Sequence, residues 1–361
     1  MHNEITTPPA PHKRPRRIGT VLSFVLALAV LTYVGNWFAA AFWLEGRIED
    51  WAAAERARGN EVVFGDLRFE GFPFAMSILA PDALYRRHRG AVVETVTAER
   101  LRLSARPWAP LDMTLTAERG LTASQAVPDR GTLVTLTAAP DTRVDAYFHS
   151  SGVLKHARLS AAGGRLVSAR DGDPAGPREA ARVGATTATL DQADAIVSHM
   201  DAAAVVSLTA ARVETPALRQ LGTDADHAAL FLEATLRGAL SGTGATDLAL
   251  WRDSGGTVDI DRLTLSIDPV ALKLNATFAL DRLLRPEGAG TLEIKGFDEA
   301  LEDLVGAGHL KRDAAEIARL VLGAFSRNSS ADGTRIVSMP VAAQDGRVSA
   351  GPFTLFRFPA L

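Results

Sequence analysis

Leu272-Lys273-Leu274-Asn275-Ala276-Thr277-Phe278-Ala279-Leu280 sets an apolar side chain at every second position, with Lys273, Asn275 and Thr277 between them. Successive side chains of a strand point to opposite faces, so strict alternation over this length means a strand with one apolar and one polar face. The same period runs through Phe72, Phe74, Met76 and Ile78, through Leu101 and Leu103, and through Leu111, Met113 and Leu115. Thr, Val and Leu fill these runs while Gly, Pro and Asp separate them, the pattern of antiparallel hairpins. Turns are expected at Asp129-Arg130-Gly131, Ser254-Gly255-Gly256 and Asp345-Gly346. The expected fold class is mainly β, a β-rich α+β protein. An N-terminal transmembrane helix precedes an elongated, mostly antiparallel sheet with a few peripheral helices.

The domain reading follows from where the alternation starts and stops. Residues 61–170 form a first β-rich unit, 171–185 a linker or long loop, and 186–361 a second β-rich unit. Helices are expected near 298–325. Leu301, Leu304 and Val305 share one face there, and Ile317, Leu320, Val321 and Ala324 fall at helical spacing. Asp313 with Glu316 three residues on resembles a capping box. An internal echo links Glu99–Pro107 (ERLRLSARP) with Asp261–Pro269 (DRLTLSIDP). Two readings fit it: related β units, or coincidence between amphipathic strands.

Charge is distributed unevenly along the chain. The whole carries 39 Lys+Arg against 42 Asp+Glu, a net of −3. Residues 1–17 hold Lys13, Arg14, Arg16 and Arg17 against Glu4 alone, so this tail is +3 and the remainder −6. Ile18 to Leu44 then runs for 27 residues without a formal charge, and about 20 apolar residues suffice to cross a bilayer as a helix. Residues 18–41 are therefore expected as a transmembrane signal anchor, with Ile18, Leu22, Phe24, Leu26, Leu28, Leu31, Trp37 and Trp43 as membrane-anchoring residues. Tyr33, Trp37, Phe38, Phe42 and Trp43 crowd the far end, where aromatic rings favour the headgroup boundary. The four basic residues set the topology, with residues 1–17 as a disordered basic cytoplasmic tail and the bulk translocated. A cleaved signal peptide is the competing reading, since Ala39-Ala40-Ala41 resembles a cleavage site. Secretory apolar regions are about 7–15 residues long, shorter than this one, which favours the uncleaved anchor. Residues 42–60 read as a short juxtamembrane helix stopped by Gly59-Asn60.

Gly71-Phe72-Pro73-Phe74 leads into a strand, Leu284-Arg285-Pro286-Glu287-Gly288 precedes a two-helix segment, and the chain closes on Pro340-Val341, Asp345-Gly346-Arg347-Val348 and Gly351-Pro352-Phe353. With the N-terminal anchor, these motifs resemble a family of proteobacterial membrane-anchored envelope proteins, domain of unknown function 2125. The resemblance covers nearly the whole chain and implies an envelope location but no activity. A more distant likeness to AsmA-like β-rich envelope proteins implies a groove-bearing sheet and work on lipids.

The sequence offers little chemistry. Absence of Cys excludes disulfides, thiolate metal sites and a Cys nucleophile. No phosphate-binding loop, H-E-x-x-H or G-x-S-x-G element occurs. Gly242-Thr243-Gly244 begins like a dinucleotide loop, but no helix is expected after it and hairpin glycines are the reading. His149 and His156 stand seven apart, a spacing that suits no shared metal. Asp171/Asp173 and Asp259/Asp261 are paired carboxylates, the second pair on one face of a strand, where solvated edge charge is favoured over a cation site. No catalytic, cofactor-binding or metal residue is expected, no cofactor, and no nucleic-acid partner. The expected protein is a single-pass bacterial inner-membrane protein, N-terminus cytoplasmic and bulk periplasmic, that is not an enzyme. Its expected partners are the bilayer and either a lipid-like ligand or an envelope protein. A scaffold for envelope assembly is the alternative, and a periplasmic hydrolase the least favoured.

Overall fold

Hydrogen bonding between strands, rather than helix packing, organises this chain. The computed structural model describes residues 17–128, 131–173, 176–216, 228–242, 244–328 and 335–357. Lys13, Arg14 and Arg16, the expected cytoplasmic tail and most of the Asp129-Arg130-Gly131 turn lie outside these residues. Among the described residues, helix α1 (Arg17–Ala57) leads into 21 strands joined in one antiparallel sheet. The mainly β expectation holds.

The anchor and the juxtamembrane helix are one element, because α1 runs without a break for 41 residues. Its C-terminus unwinds at Arg58-Gly59, where Gly59 takes φ +85°, a conformation open to glycine. Its stretch from Ser23 onward is long and apolar enough to cross a membrane. Phe24, Val25, Leu26, Leu28, Val30 and Leu31 are all exposed.

The sheet begins beside α1. β1 (Glu61–Val63) and β2 (Arg68–Glu70) pair with opposite ends of β3 (Met76–Arg89), which forms a long hairpin with β4 (Val92–Arg106). The sheet then divides. β5 (Ala109–Ala117) pairs with one half of β4 and β6 (Leu121–Val127) with the other. From β6 a short wing continues through β7 (Thr132–Ala138), β10 (Gly164–Arg170) and β11 (Arg178–Val183). From β5 a long wing continues through β8 (Thr142–Phe148), β9 (Leu154–Ala161), β12 (Thr186–Gln192), β13 (Ala202–Ala211) and β14 (Ala228–Arg237). The chain crosses between the wings along a line of backbone breaks, where Gly120, Asp141 and Arg212 take positive φ. At Gly120 a Cβ would lie 2.7 Å from the Ala138 carbonyl oxygen, so only glycine fits there.

The long wing goes on through β15 (Thr257–Ile267), β16 (Val270–Leu280), β17 (Pro286–Lys295) and β19 (Arg335–Gln344). β18 (Ser326–Asn328) and β20 (Arg347–Ala350) pair with opposite ends of β19, and β21 (Phe353–Arg357) closes the edge. Asp345 and Gly346 both take positive φ in the two-residue turn between β19 and β20, as expected of a tight hairpin. Helices α3 (Phe297–Gly306) and α4 (Arg312–Gly323) cover the far end, within the expected 298–325 region.

Three expectations need correction. The 171–185 linker contains strand β11, and pairing continues on both sides of it, so no structureless spacer separates two β units. Gly244 is followed by a helix, α2 (Ala245–Asp253), whose Trp251 is buried. Asp313 lies in the first turn of α4, but Lys311 is the N-cap and no capping box forms. The echo copies sit in β4 and β15, an odd number of antiparallel pairings apart, and so run in opposite directions.

Candidate functional site

Register decides where the alternating apolar residues go. Directly opposed residues form one uninterrupted row across twelve strands of the long wing: Ile78, Leu103, Leu115, Val144, Leu159, Ala188, Leu208, Leu232, Leu263, Leu274, Leu292 and Met339. A second row runs from Met76 and Ala105 through Leu190, Val206 and Ile260 to Val341 and Ala350. The neighbouring positions form the opposite face, in rows such as Arg102, Thr116, Arg143, Ser160, Thr187 and Thr209. Leu79, Val205 and Phe231 are apolar on that side, and the Arg262 guanidinium covers the Phe231 ring at 4.5 Å.

The first row is buried only at its ends. Ile78 is 2% exposed and Met339 4%, whereas the ten residues between them all remain partly exposed. At the near end α1 lies over the floor, with Trp37 and Ala41 against Met76, Ala105 and Met113. At the far end Phe297 and Leu301 of α3 pack on Val337 and Met339. Between the two caps Trp251 of α2 reaches the floor beside Ile260, Leu274 and Leu292, while the row from Leu115 to Leu232 stays partly exposed. The result is an apolar trough, closed at both ends and open along its middle.

Two cavities lie on the trough floor, one under α1 and the other beside Trp251 of α2. The near one is about 290 Å³ and is walled by Ile48 and Trp51 of α1 with Ile78, Leu103 and Leu115 of the long wing. Val96 and Leu121 from the short-wing side line the same cavity, so both wings turn apolar faces to it. The far one is about 430 Å³, between Trp251, Phe278, Leu280, Val348 and Leu355. Volumes of this order suit small apolar ligands. The Trp251 indole donates to the Arg237 carbonyl at 2.8 Å, so its polar atom is satisfied and its ring faces the cavity without cost.

The near cap holds the one correction among the anchoring residues. Trp37 is 3% exposed, a core residue of the β domain, and its Nε1 donates to the Ala75 carbonyl at 3.0 Å. Phe24, Leu26, Leu28, Leu31 and Trp43 are exposed. Ile18, Leu22 and Arg17 are placed in α1 by the backbone. One turn earlier than Trp37, the Tyr33 hydroxyl donates to the Pro73 carbonyl at 2.5 Å. Phe72 meets Trp37 edge-on at 5.3 Å and stacks on Phe38 at 6.1 Å. Gly71 takes φ +93°, and a Cβ there would lie 2.9 Å from the Ala75 oxygen, which explains the Gly-Phe-Pro-Phe stretch physically. Beyond the uncharged run, the Glu55 carboxylate accepts from Asn60 Nδ2 at 2.6 Å, from Arg58, and from the Tyr85 hydroxyl at 3.1 Å. The Asn60 hydrogen bond, reinforced by Arg58 and Tyr85, holds Glu55 below its ordinary pKa against the opposing effect of burial.

The polar groups raised by the sequence find partners on the other face. Asp259 accepts from Arg237 and, at 2.8 Å, from Thr277, while Asp261 accepts from Thr235 at 2.7 Å. Burial works to raise Asp259, but the Arg237 and Thr277 hydrogen bonds hold it below the usual carboxylate range. His156 meets Asp191 at 2.6 Å and His149 bonds its own loop serines, so the two histidines do not converge. No cluster of three potential metal ligands occurs among the described residues. A hollow of about 540 Å³ on the polar face is lined by Arg106, Asp112, Arg143, Asp145, Tyr147 and His156. Its acids are paired internally: Arg106 with Asp112 at 3.1 Å, and Arg143 Nε with Asp145 at 2.8 Å.

Residues 37–359 match a family described as an uncharacterized protein conserved in bacteria, DUF2125. The chain belongs to this family. The match begins at Trp37, so it takes in the near cap, the whole trough and the far cap. No curated protein and no solved structure matches the chain, and the more distant likeness to AsmA-like proteins has no support there.

Proposed function

We propose that this chain is a membrane-anchored, non-enzymatic protein of the bacterial envelope that holds lipid acyl chains in its apolar trough. In this reading α1 crosses the inner membrane with its basic end in the cytoplasm, and the sheet stands in the periplasm. The observation that carries the proposal is the twelve-residue row that is buried at its ends and partly exposed between them. Soluble proteins rarely leave a long contiguous apolar surface open unless something binds it. An acyl chain laid along the row would gain about 0.8 kcal/mol for each CH2 group removed from water. The two cavities on the trough floor give such a chain places to end.

The test is the lipid content of the intact protein. Full-length chain extracted in mild detergent and analysed by mass spectrometry should retain phospholipid in near-stoichiometric amount. Leu232→Glu and Leu263→Glu, charges set in the middle of the row, should reduce that amount severalfold. Retention of lipid unchanged by both substitutions, or no lipid beyond the detergent blank, contradicts the proposal.

A second reading rests on α4, whose Ile317 and Leu320 are 64% and 78% exposed on one face. That stripe suits a protein partner in a scaffold for envelope assembly. It predicts a crosslink from Leu320 to one partner protein, independent of lipid in the trough.

A further inference from the structure

We infer that Phe72, Phe74 and Trp108 form an aromatic foot that sits in the bilayer at the headgroup boundary, beside the point where α1 leaves it. This rests on reading α1 as the anchor and is separate from whether the trough carries lipid. The argument begins with depth. At about 1.5 Å per residue, Tyr33 lies about 24 Å and Trp37 about 30 Å along the helix from Arg17. A hydrocarbon layer about 30 Å thick, entered at Arg17, therefore ends near Trp37. Tyr33 and Trp37 hydrogen-bond the carbonyls of Pro73 and Ala75. The loop before β3 is thus held at or just below the boundary by its own contacts with the helix.

The chemistry of the loop agrees with that depth. Phe72 is 50% and Phe74 75% exposed, and Trp108, at the tip of the adjacent β4–β5 hairpin, is 63% exposed. Aromatic rings are the side chains that settle at this boundary. The arrangement is also directional. Trp37 meets Met76 at the start of β3, while Trp51 and Glu55 meet Tyr85 near its end, so α1 and β3 run side by side in the same direction. The end of the sheet that carries Phe74 and Trp108 faces the membrane, and the β3–β4 turn at Gly90-Ala91 faces away. The foot would place the near end of the trough, at Met76 and Ala105, at the bilayer surface.

The chain has no cysteine, so single probes can be introduced without background. Phe74→Cys, Trp108→Cys and Ala91→Cys, each in the full chain and labelled with an environment-sensitive nitrobenzoxadiazole dye, are reconstituted in phosphatidylethanolamine–phosphatidylglycerol vesicles. The foot predicts blue-shifted emission at 74 and 108, quenched by lipids spin-labelled near the headgroup and insensitive to high salt, with a water-like probe at 91. Probes at 74 and 108 that stay water-like while the chain floats with the vesicles overturn the foot and leave the anchor standing. Blue-shifted emission at 74 and 108 that spin-labelled lipids fail to quench overturns it in favour of a protein contact. A chain that fails to float overturns the anchor and the foot together.

Discussion

Trp37 has the position expected of an interfacial aromatic and the packing of a core residue. Its spacing from Arg17 puts it where interfacial aromatics belong, and the same ring closes the near end of the β domain. A sequence can suggest the first from position. The second depends on Met76, Ala105 and Met113, which only the β3–β4–β5 register brings beneath it. Truncating a buried Trp typically costs about 3–5 kcal/mol, so Trp37→Ala should lower the thermal midpoint of the whole β domain while leaving membrane flotation intact. Glu55 gives a pH signature at the same junction. Its folded pKa is depressed, so its contribution is present above the ordinary glutamate value and disappears as pH falls through the folded value. Glu55→Gln should therefore unfold at a lower temperature than the parent near neutral pH, with the gap closing as pH falls below about 4. An unchanged gap at low pH would show that packing rather than charge is what the substitution disturbs.

Elements were legible where packing imposes one clear period. The Leu272–Leu280 alternation gave a strand, and β16 spans Val270–Leu280. The two late helices emerge from helical apolar spacing, but only α3 packs through its expected stripe; α4 packs through Ala315, Ala318 and Leu322 and turns Ile317 and Leu320 outward. α2 did not emerge, because nine residues with a single buried side chain carry no stripe, and its flanking glycines imitate a hairpin. β11 was hidden by the Pro- and Gly-rich residues just before it, which mark the turn and say nothing of the six-residue strand that follows. β17 carries a test of close strand approach. A Cβ on Gly290 would lie 2.2 Å from the Asn275 carbonyl oxygen and 2.4 Å from Ala276 Cβ. Gly290→Ala should displace β17 from β16 and destabilise the domain by about 1–3 kcal/mol, as overpacking does, measurable by denaturant unfolding. Gly90→Ala has free space around it but a φ of +58°, so it should cost only its backbone strain, about 1–2 kcal/mol.

At the scale of the whole molecule, period-two patterning shows that each strand has an apolar face but not whether anything covers it. That question is settled by the balance between one very wide sheet and the few helices available to cap it. α1 covers one end and α3 with α4 the other, which leaves the middle of the row partly exposed. Substitutions there should therefore separate stability from function. Leu208→Ala or Leu232→Ala should cost less than the 2–5 kcal/mol usual for a fully buried Leu, whereas Phe297→Ala under the far cap should reach about 3–5 kcal/mol.

The most direct test of the open trough compares neighbours on one strand. Leu208 belongs to the apolar row and Thr209 to the opposite face. A benzophenone side chain placed at 208 or at 209 in the full chain, irradiated in native membranes, samples the two faces from almost the same point. Phospholipid adducts at 208 and none at 209 are the predicted result; adducts absent from both, or equal at both, would contradict an acyl-binding trough.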